Sequence, residues 1–562
     1  MGYPGSVGWH IWIDNATSLA VVTREGEISR LDISRNQLTP ITTGAAIDQL
    51  AGTPSGRQWV AISNQRRVLL GIDKGSGQWS TKAIFDLGHS KQDYFVADPA
   101  ISESLGLVAF RYWEDVTMPW YQSYIKLVDF EGNLRRTIGL EGEMVSQPRF
   151  SPDGQRLAYI SSATGYLSLT VIKEPFSGHP RSITSNGFDY GDVDLGTGQA
   201  SYCWATGSDG LFALRNEDGF ARVVLVDLEQ GGVGQEVAKG FLDAPVTIGS
   251  SLLGIRQGAR TPTHIACIET APISRGDSSS KRRLVAGHFF GASLTSLVEP
   301  EILRTETPSI ELGNAKFPAT EMISRLYRSQ LSEAFGTLVL LHGGPTGQTG
   351  VRFNHRIGFY NSIGIDVLVP DFRGTSGHGI AFARALAGGW GIVDVSDVRS
   401  AIAAASRNGA LRADAVVMGS SAGGYLSLRL AQDPLAPIVG AIAIAPVVDL
   451  SATAATTHRF ESHYTDILVG PRRHFDAEWT SRSPASHPDA LRVPILVIQG
   501  DSDEVVPAKP STEFIAALLA RGKQAKYVLI EGEGHSWKHD SSLITETEAI
   551  LAFLRDDCHW NI

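Results

Sequence analysis

The chain has 562 residues, of which 43% are hydrophobic and 19% are charged, so it is long enough to form two globular domains with full cores. Its formal charge of −10 at pH 7 argues against nucleic acid or an anionic membrane surface as a partner. No apolar run approaches the length that spans a bilayer, no secretory signal is visible, and only three cysteines are present. We therefore expect a cytoplasmic protein without a disulfide framework, a metal cluster or a membrane partner.

The first half of the chain consists of short apolar runs separated by Gly, Asp, Asn and Pro turns, a pattern typical of β-strands. Clear examples are Gln58–Ile62, Gly106–Phe110 and Arg156–Ile160. The pattern returns every forty to fifty residues or so, which is the length of a four-stranded propeller blade. These features predict a β-propeller over residues 1–298, with about seven blades preferred from a range of roughly six to eight.

One turn in this half contains a prominent aromatic residue. Met118-Pro119-Trp120 follows the acidic pair Glu114-Asp115 and is predicted to be exposed. Trp120 is therefore a candidate for contact with a substrate. The alternative, a loop at the edge of a blade, is favoured because such turns are common in propellers.

Strands alternate with helices over residues 299–562, which predicts a largely parallel sheet with helices on both faces. Buried strands are predicted at Thr337–Leu341, Ile365–Val369, Val439–Ile444, Val493–Ile498 and Ala525–Ile530, and a closing helix is predicted at Leu543–Leu554. This layout is that of an α/β-hydrolase, in which the active residues lie on loops at the carboxyl ends of the strands.

A candidate nucleophile lies in Gly419-Ser420-Ser421-Ala422-Gly423, between a buried strand and a helix. The spacing G-x-S-x-G is typical of a sharp strand-to-helix turn that exposes a serine hydroxyl. Glycines are needed there because side chains would collide with the neighbouring strand and helix. Ser421 is therefore the predicted nucleophile, although the motif alone also occurs by chance.

A serine nucleophile needs a base, and the base needs a carboxylate that orients it. In this fold the carboxylate and the histidine follow the serine along the chain. Asp503 and His535 each follow a predicted strand, so they are assigned to these roles. The rival residues are the carboxylates of Asp501 and Glu504, and His539, which is expected on or near the closing helix.

Backbone N–H groups are expected to bind the oxyanion that forms during acyl transfer. In this fold one N–H comes from a loop after an early strand and the other from the residue after the nucleophile. Here the loop is His342-Gly343-Gly344-Pro345, so the predicted donors are Gly344 and Ala422. His342 is expected to be a structural hydrogen-bonding residue.

Taken together, these motifs resemble the prolyl oligopeptidase family of serine peptidases, which joins a propeller to an α/β-hydrolase. The His-Gly-Gly-Pro sequence places the resemblance in its acylaminoacyl-peptidase and dipeptidyl-peptidase branch. The resemblance covers most of the last 230 or so residues. It rests on His342–Pro345, Asp371–Gly379, Trp390–Asp397, the Ser421 turn, Gly500–Asp503 and Glu531–His535.

Within that branch, the segment Thr457–Tyr464 is similar to the bacterial puromycin hydrolases, which cut an aminoacyl amide. The resemblance makes Glu461 and Tyr464 candidate substrate-binding residues, with Glu461 facing a free amine. The alternative for Glu461 is a residue on a helix surface or in a lid. Many family peptidases have Arg or Asn two residues after the catalytic Asp. Val505 occupies that position and cannot donate a side-chain hydrogen bond, which favours a small substrate.

These inferences predict a serine hydrolase that cleaves an aminoacyl amide or a short peptide through an acyl-enzyme, without a metal or organic cofactor. The alternative is an esterase or a biosynthetic acyl-transfer or cyclising enzyme with the same triad. A third hypothesis, a propeller interaction module with a silent hydrolase half, is disfavoured by the intact set of motifs. Assembly into a homo-oligomer is left open.

Overall fold

The computed structural model divides the chain into two compact units. The first contains residues Met1–Glu217, Ala221–Arg256 and His264–Gly287, and the second contains Asp218–Phe220, Gln257–Thr263 and His288–Ile562. The structure describes residues 10–562 except 14–17, 24, 43, 45, 76–77, 87, 89–92, 185–186, 195–197, 271–281, 287–296, 458–460 and 462, and for 282–286 it describes the backbone only.

The first unit is a propeller of six four-stranded sheets in the described part of the chain, each built from consecutive strands. The strands of the first three sheets are β1 His10–Ile13, β2 Ser18–Val22, β3 Ile28–Asp32, β4 Gln37–Pro40, β5 Ile47–Gly52, β6 Gln58–Ser63, β7 Arg67–Asp73, β8 Trp79–Phe85, β9 Tyr94–Ser102, β10 Leu107–Glu114, β11 Tyr124–Asp129 and β12 Leu134–Ile138. Those of the last three are β13 Val145–Phe150, β14 Leu157–Ser161, β15 Ser168–Ile172, β16 Arg181–Ser182, β17 Tyr202–Trp204, β18 Gly210–Glu217, β19 Phe220–Asp227, β20 Gln235–Lys239, β21 Phe241–Ile248, β22 Ser251–Gly258, β23 Thr261–Glu269 and β24 Arg282–Ala286.

The prediction of seven blades is wrong, because the described strands form six. The repeat is uneven along the chain. The fourth blade ends at Ser182, and the fifth begins only at Tyr202. A long connection adds residues to its blade. The propeller region therefore holds fewer blades than an evenly spaced repeat would suggest.

The first strands of three successive blades are linked by side chains that occur every 49 residues. The Gln49 side chain accepts the N–H of Asp98 at 2.6 Å, and the Asp98 carboxylate accepts the N–H of Gln147 at 3.1 Å. The Gln147 side chain in turn accepts the N–H of Ser201 at 2.9 Å. The N–H groups of Asp98 and Gln147 lie where the pairing of their strands is irregular, and that of Ser201 lies just before β17. Each bond satisfies a backbone donor and ties one blade to the next.

The Met118-Pro119-Trp120 turn lies between β10 and β11 and is not exposed as predicted. Trp120 is 4% exposed and Met118 is 1% exposed. Burial of both side chains is favourable, because large apolar groups gain free energy when they leave water. The predicted exposure of Trp120, on which its candidacy for substrate contact was based, is therefore wrong.

The second unit contains an eight-stranded sheet in the order β25-β28-β30-β29-β31-β32-β33-β34 and a small hairpin of β26 and β27. The sheet is antiparallel from β25 to β30 and parallel from there onward. Its strands are β25 Glu301–Glu306, β26 Ile310–Leu312, β27 Ala315–Phe317, β28 Glu321–Tyr327, β29 Gly336–Leu341, β30 Ile365–Pro370, β31 Ala415–Ser420, β32 Gly440–Ile444, β33 Ile495–Gly500 and β34 Ala525–Ile530.

Helices cover both faces of this sheet, as the alternation of strands and helices predicts. They are α1 His355–Ser362, α2 Ile380–Arg384, α3 Val393–Arg407, α4 Ala422–Gln432, α5 Leu450–Thr456, α6 Tyr464–Val469, α7 Arg472–Arg482, α8 Ala508–Leu519 and α9 Asp540–Asp556. Successive residues of β29 point to opposite faces: Val339 packs in the core that contains α3, α4 and α8, and Leu338 packs in the core that contains α1 and α9. The sheet is thus buried on both sides, and the carboxyl ends of its parallel strands meet at one edge. Among the described residues, no helix is long and apolar enough to cross a membrane.

Candidate active site

Ser421 lies in the tight turn between β31 and α4. Its backbone has φ 58° and ψ −120°, a conformation that non-glycine residues rarely adopt. Its N–H donates to the carbonyl of Ile444 on the next strand at 2.9 Å, which holds the turn against the sheet. The side chain is partly exposed and makes no capping hydrogen bond to α4. The hydroxyl is therefore presented at the carboxyl end of the sheet, as the G-x-S-x-G spacing predicts.

The glycines of this turn are required by close backbone contacts. A Cβ atom on Gly423 would lie 2.3 Å from the carbonyl oxygen of Leu341, and one on Gly419 would lie 2.4 Å from the carbonyl carbon of Gly423. Both distances are far below any contact that a real Cβ makes. The motif thus packs α4 directly against the loop after β29.

Asp503 and His535 lie on the loops after β33 and β34 and are joined by a hydrogen bond. The Nδ1 atom of His535 is 2.8 Å from Oδ2 of Asp503. A carboxylate accepts hydrogen bonds, so Nδ1 carries the proton that is donated, and Nε2 of the neutral ring is left as the base. The bond thus fixes both the tautomer and the orientation of the imidazole.

Asp503 is itself held rigidly. Its Oδ1 atom accepts the N–H groups of Val505 and Val506 at 2.9 Å, and its Oδ2 atom also accepts the side-chain amide of Gln499 at 3.0 Å. The residue is 5% exposed. With every oxygen in use, the carboxylate cannot rotate away from the histidine.

The rival residues lie in different surroundings. Asp501 and Glu504 are exposed, and the Asp501 carboxylate accepts the N–H of Gly532 at 2.8 Å. His539 occupies the position just before the first turn of α9, as expected. None of these three rivals has the buried, paired geometry of Asp503 with His535.

The glycines of the loop after β29 lie beside the serine turn. A Cβ atom on Gly343 would be 3.6 Å from Cβ of Ser421. The next residue, Gly344, has φ 125°, which side chains rarely tolerate. Ala422 is the first residue of α4, so its N–H has no acceptor within the helix. The glycine loop after β29 and the N-terminus of α4 therefore both border the serine turn.

Two groups of buried contacts support this loop. His342 stacks on Phe372 at 4.3 Å, and its Nδ1 atom donates to the carbonyl of Gly343 at 2.9 Å. Its Nε2 atom then accepts the hydroxyl of Thr375 at 2.7 Å. Burial lowers the pKa of His342, so the ring is held neutral in this arrangement. These contacts agree with the expected structural role of His342.

The second group centres on Asp371, which sequence reasoning did not single out. It is fully buried and is paired with Arg325 by two hydrogen bonds of 2.5 and 2.7 Å. Gln348 and His378 also donate to it, at 2.9 and 2.7 Å. Burial alone would raise the pKa of Asp371, but the Arg325 charge and the His378 hydrogen bond hold it well below the usual range. Gln348 thereby anchors the far end of the glycine loop, a contact between distant segments that spacing alone cannot reveal.

The remaining candidates are placed on the α5–α6 connection and the Asp503 loop. Glu461 is partly buried, with a carboxylate oxygen 3.5 Å from the Thr457 hydroxyl. Tyr464 is buried, and its hydroxyl lies 2.5 Å from that of Thr346, the residue after the His-Gly-Gly-Pro sequence. Val505 is partly exposed. Of the segment cited for its resemblance to puromycin hydrolases, residues 458–460 and 462 lie outside the described residues.

Within the described residues, no three His, Cys, Asp or Glu side chains are grouped so that they could hold a metal ion.

Comparison with known proteins relates this half of the chain to a peptidase family. Residues 351–559 match the model of the prolyl oligopeptidase family. Dipeptidyl aminopeptidase BIII of Pseudoxanthomonas mexicana is 30% identical over 229 residues, which are 38% of this chain and 32% of the relative. Acylamino-acid-releasing enzyme 1 of Oryza sativa subsp. japonica is 29% identical over 209 residues, which are 35% of this chain and 27% of the relative. The aligned part thus spans about a third or less of these curated relatives.

Solved structures match the chain over its whole length. A puromycin-hydrolyzing peptidase from Mycobacterium tuberculosis has a TM-score of 0.83 at 22% identity, covering 100% of this chain and 87% of that one. A puromycin hydrolase has a TM-score of 0.75 at 20% identity, covering 100% and 95%. At these identities, the similarity establishes a common fold.

Proposed function

Residues 351–559 form a prolyl oligopeptidase family domain, and from that premise we propose that this chain is a serine hydrolase that cleaves an aminoacyl amide or a short peptide. The observation that carries the proposal is the 2.8 Å hydrogen bond between His535 Nδ1 and Asp503 Oδ2. It joins two strand-end loops in a unit whose serine turn ends a third strand of the same sheet. Family, fold and geometry thus support the same chemistry.

In the proposed mechanism, Ser421 attacks the substrate carbonyl while Nε2 of His535 takes the hydroxyl proton. Asp503 stabilises the imidazolium that forms and keeps the ring oriented. The imidazolium then gives its proton to the departing amine, and an acyl-enzyme is left on Ser421. Water attacks this ester with His535 again acting as base, which releases the acid and restores the serine.

The N–H groups of Gly344 and Ala422 are proposed to stabilise the tetrahedral oxyanion. Ala422 is suited to this because its N–H lies at the N-terminus of α4, where the helix dipole favours negative charge. Loss of one such donor typically costs about 3 kcal/mol of transition-state stabilisation.

The substrate is proposed to be small, with one amino-acid unit on the acyl side. Val505 offers no side-chain donor to a peptide backbone, and the residue after the nucleophile is only an alanine. Glu461 is proposed to pair with a free substrate amine, with Tyr464 beside it on the same segment. Three of the similar proteins support this class by their names: an acylamino-acid-releasing enzyme, a dipeptidyl aminopeptidase and a puromycin-hydrolyzing peptidase.

A matched substrate panel tests the proposal, with Ser421→Ala as the blank. The panel contains free-amino aminoacyl anilides, their N-acetyl counterparts, a dipeptidyl anilide and simple aryl esters. We expect the free-amino anilides to be cleaved fastest, and cleavage by Ser421→Ala to be reduced to background. If only the N-acetyl anilides were cleaved, the chain would still be a serine peptidase, but the proposed pairing of Glu461 with a free amine would be rejected.

The alternative function, an esterase or acyl-transfer enzyme, is favoured by the same feature, the apolar Val505. It predicts turnover of the aryl esters with no cleavage of any anilide. The cytoplasmic location and the oligomeric state stay predictions, to be examined by cell fractionation and by light scattering.

A further inference from the structure

A second carboxylate lies two residues before His535 and has no part in the mechanism described above. Glu533 is fully buried, with 0% of its surface exposed. A buried carboxylate is costly unless hydrogen bonds compensate it. Glu533 must therefore be held by specific donors, and these donors determine what it does.

All the donors come from the segment that follows His535. The Glu533 carboxylate accepts the N–H of Lys538 at 2.8 Å, the N–H of His539 at 3.0 Å and the hydroxyl of Ser542 at 2.6 Å. Burial alone would raise the pKa of Glu533, but these three donors lower it below its usual value. The chain from 533 to 539 is thus closed into a loop with His535 inside it.

A second contact joins the same loop to α9. The indole N–H of Trp537 donates to the carboxylate of Glu546 on α9. Glu546 is in turn paired with Arg356 on α1, with the closest atoms 2.6 Å apart. The residues on both sides of His535 are therefore fastened to α9.

Glu533 also connects this loop to the one that carries Asp503. Its carbonyl accepts the N–H of Ser502 at 3.0 Å. The same carbonyl packs so closely on Gly500 that a Cβ atom there would lie 2.4 Å away. The position of the Glu533 backbone thus sets the spacing between the two loops, and its side chain sets the path of the chain past the histidine.

We propose that Glu533 is a positioning residue for the reaction: its carboxylate closes the 533–539 loop and holds His535 in line with Asp503. This inference rests on the proposed function of His535 as the base. A residue that acts in this way contributes to kcat, because a small misplacement of the base weakens proton transfer, while substrate binding is unaffected.

The test compares three variants with the wild type on the best substrate of the panel. Glu533→Gln keeps the size but turns an amide N–H₂ toward groups that are themselves donors. It should lower kcat about 10- to 100-fold, with KM changed by less than about twofold. Ser542→Ala removes one donor, keeps the carboxylate and should show a smaller loss of kcat. Glu531→Gln changes an exposed glutamate just after β34 and outside the 533–539 loop; it makes the same charge change and should match the wild type.

Active sites are counted with a fluorophosphonate, so that kcat refers to folded enzyme only. A wild-type kcat per site in both Glu533→Gln and Ser542→Ala, even with lowered thermal stability, would overturn the positioning role and leave the proposed function intact. If the wild type itself neither reacts at Ser421 nor turns over any substrate, the proposed function fails instead. A rise in KM with unchanged kcat would also contradict the inference.

Discussion

At the scale of single residues, the proposed reaction depends on the orientation of the His535 imidazole. Asp503→Asn keeps the size of the side chain but replaces an acceptor by an N–H₂ group. Either His535 or the Val505 and Val506 amides then lose their acceptor, so the ring can adopt the wrong tautomer. We expect kcat for the amide substrate to fall about ten-thousand-fold in steady-state assays.

The matched control for this variant is Asp501→Asn, which makes the same change at an exposed position of the same loop. It should retain activity within about twofold. Equal losses at the two positions would mean that the loop, and not the His535–Asp503 bond, is responsible.

The sequence favoured Asp503 and His535 over their rivals only through their places after predicted strands. In the structure, Asp503 and Asp501 differ because Asp503 is buried and Asp501 is exposed. The sequence around them does not reveal this difference. The supporting contacts of Gln348 with Asp371 and of His342 with Thr375 join positions 23 and 33 residues apart. Such pairs depend on how the loops fold against each other, so local pattern cannot predict them.

At the scale of elements, the two loops that carry Asp503 and His535 meet through a glycine at the end of β33. A Cβ atom on Gly500 would lie 2.4 and 2.5 Å from the carbonyl oxygens of Glu533 and Gly534. Gly500→Ala should therefore push the loops apart and lower kcat by about 100-fold, a change measurable per titrated site.

Gly534→Ala provides the comparison, because its Cβ atom would have only one neighbour, the Ser502 carbonyl at 3.8 Å. That distance is an ordinary van der Waals contact, so kcat should fall much less in Gly534→Ala than in Gly500→Ala. If Gly500→Ala were as active as Gly534→Ala, the close contact at Gly500 would not be what positions the two loops.

Elements with strong periodicity could be predicted from sequence. The closing helix predicted at Leu543–Leu554 lies within α9, and the strands of the parallel sheet occur where apolar runs were found. The number of blades could not be predicted, because it depends on how much chain each connection takes up. The burial of Trp120 likewise depends on tertiary packing, which the polar residues before it do not reveal.

At the scale of the whole molecule, one buried acid makes stability depend on pH. Asp394, in the first turn of α3, is fully buried. Burial, with a smaller effect of the neighbouring Asp397, raises its pKa to about 7. The unfolded chain has a pKa of about 3.9 at this residue. A raised carboxyl pKa means that folding favours the protonated form, so this residue destabilises the fold increasingly as pH rises from about 4 to about 7.

Asp394→Asn removes this titration. We expect its free energy of unfolding to exceed that of the wild type by about 2 to 3 kcal/mol more at pH 8 than at pH 5, out of a full effect on the order of 4 kcal/mol. Denaturant titrations at both pH values measure the difference. Asp540→Asn, which makes the same change at an exposed position in the first turn of α9, is the matched control. An equal difference at pH 5 and pH 8 would contradict the assigned pKa.

The central claim is that Ser421 is a nucleophile activated by His535. Intact and peptide mass spectrometry after reaction with a fluorophosphonate tests it most directly. We expect one adduct per chain, located on Ser421. It should form far more slowly in His535→Ala and not at all in Ser421→Ala. An unlabelled wild type, or labelling that is equally fast without His535, would contradict it.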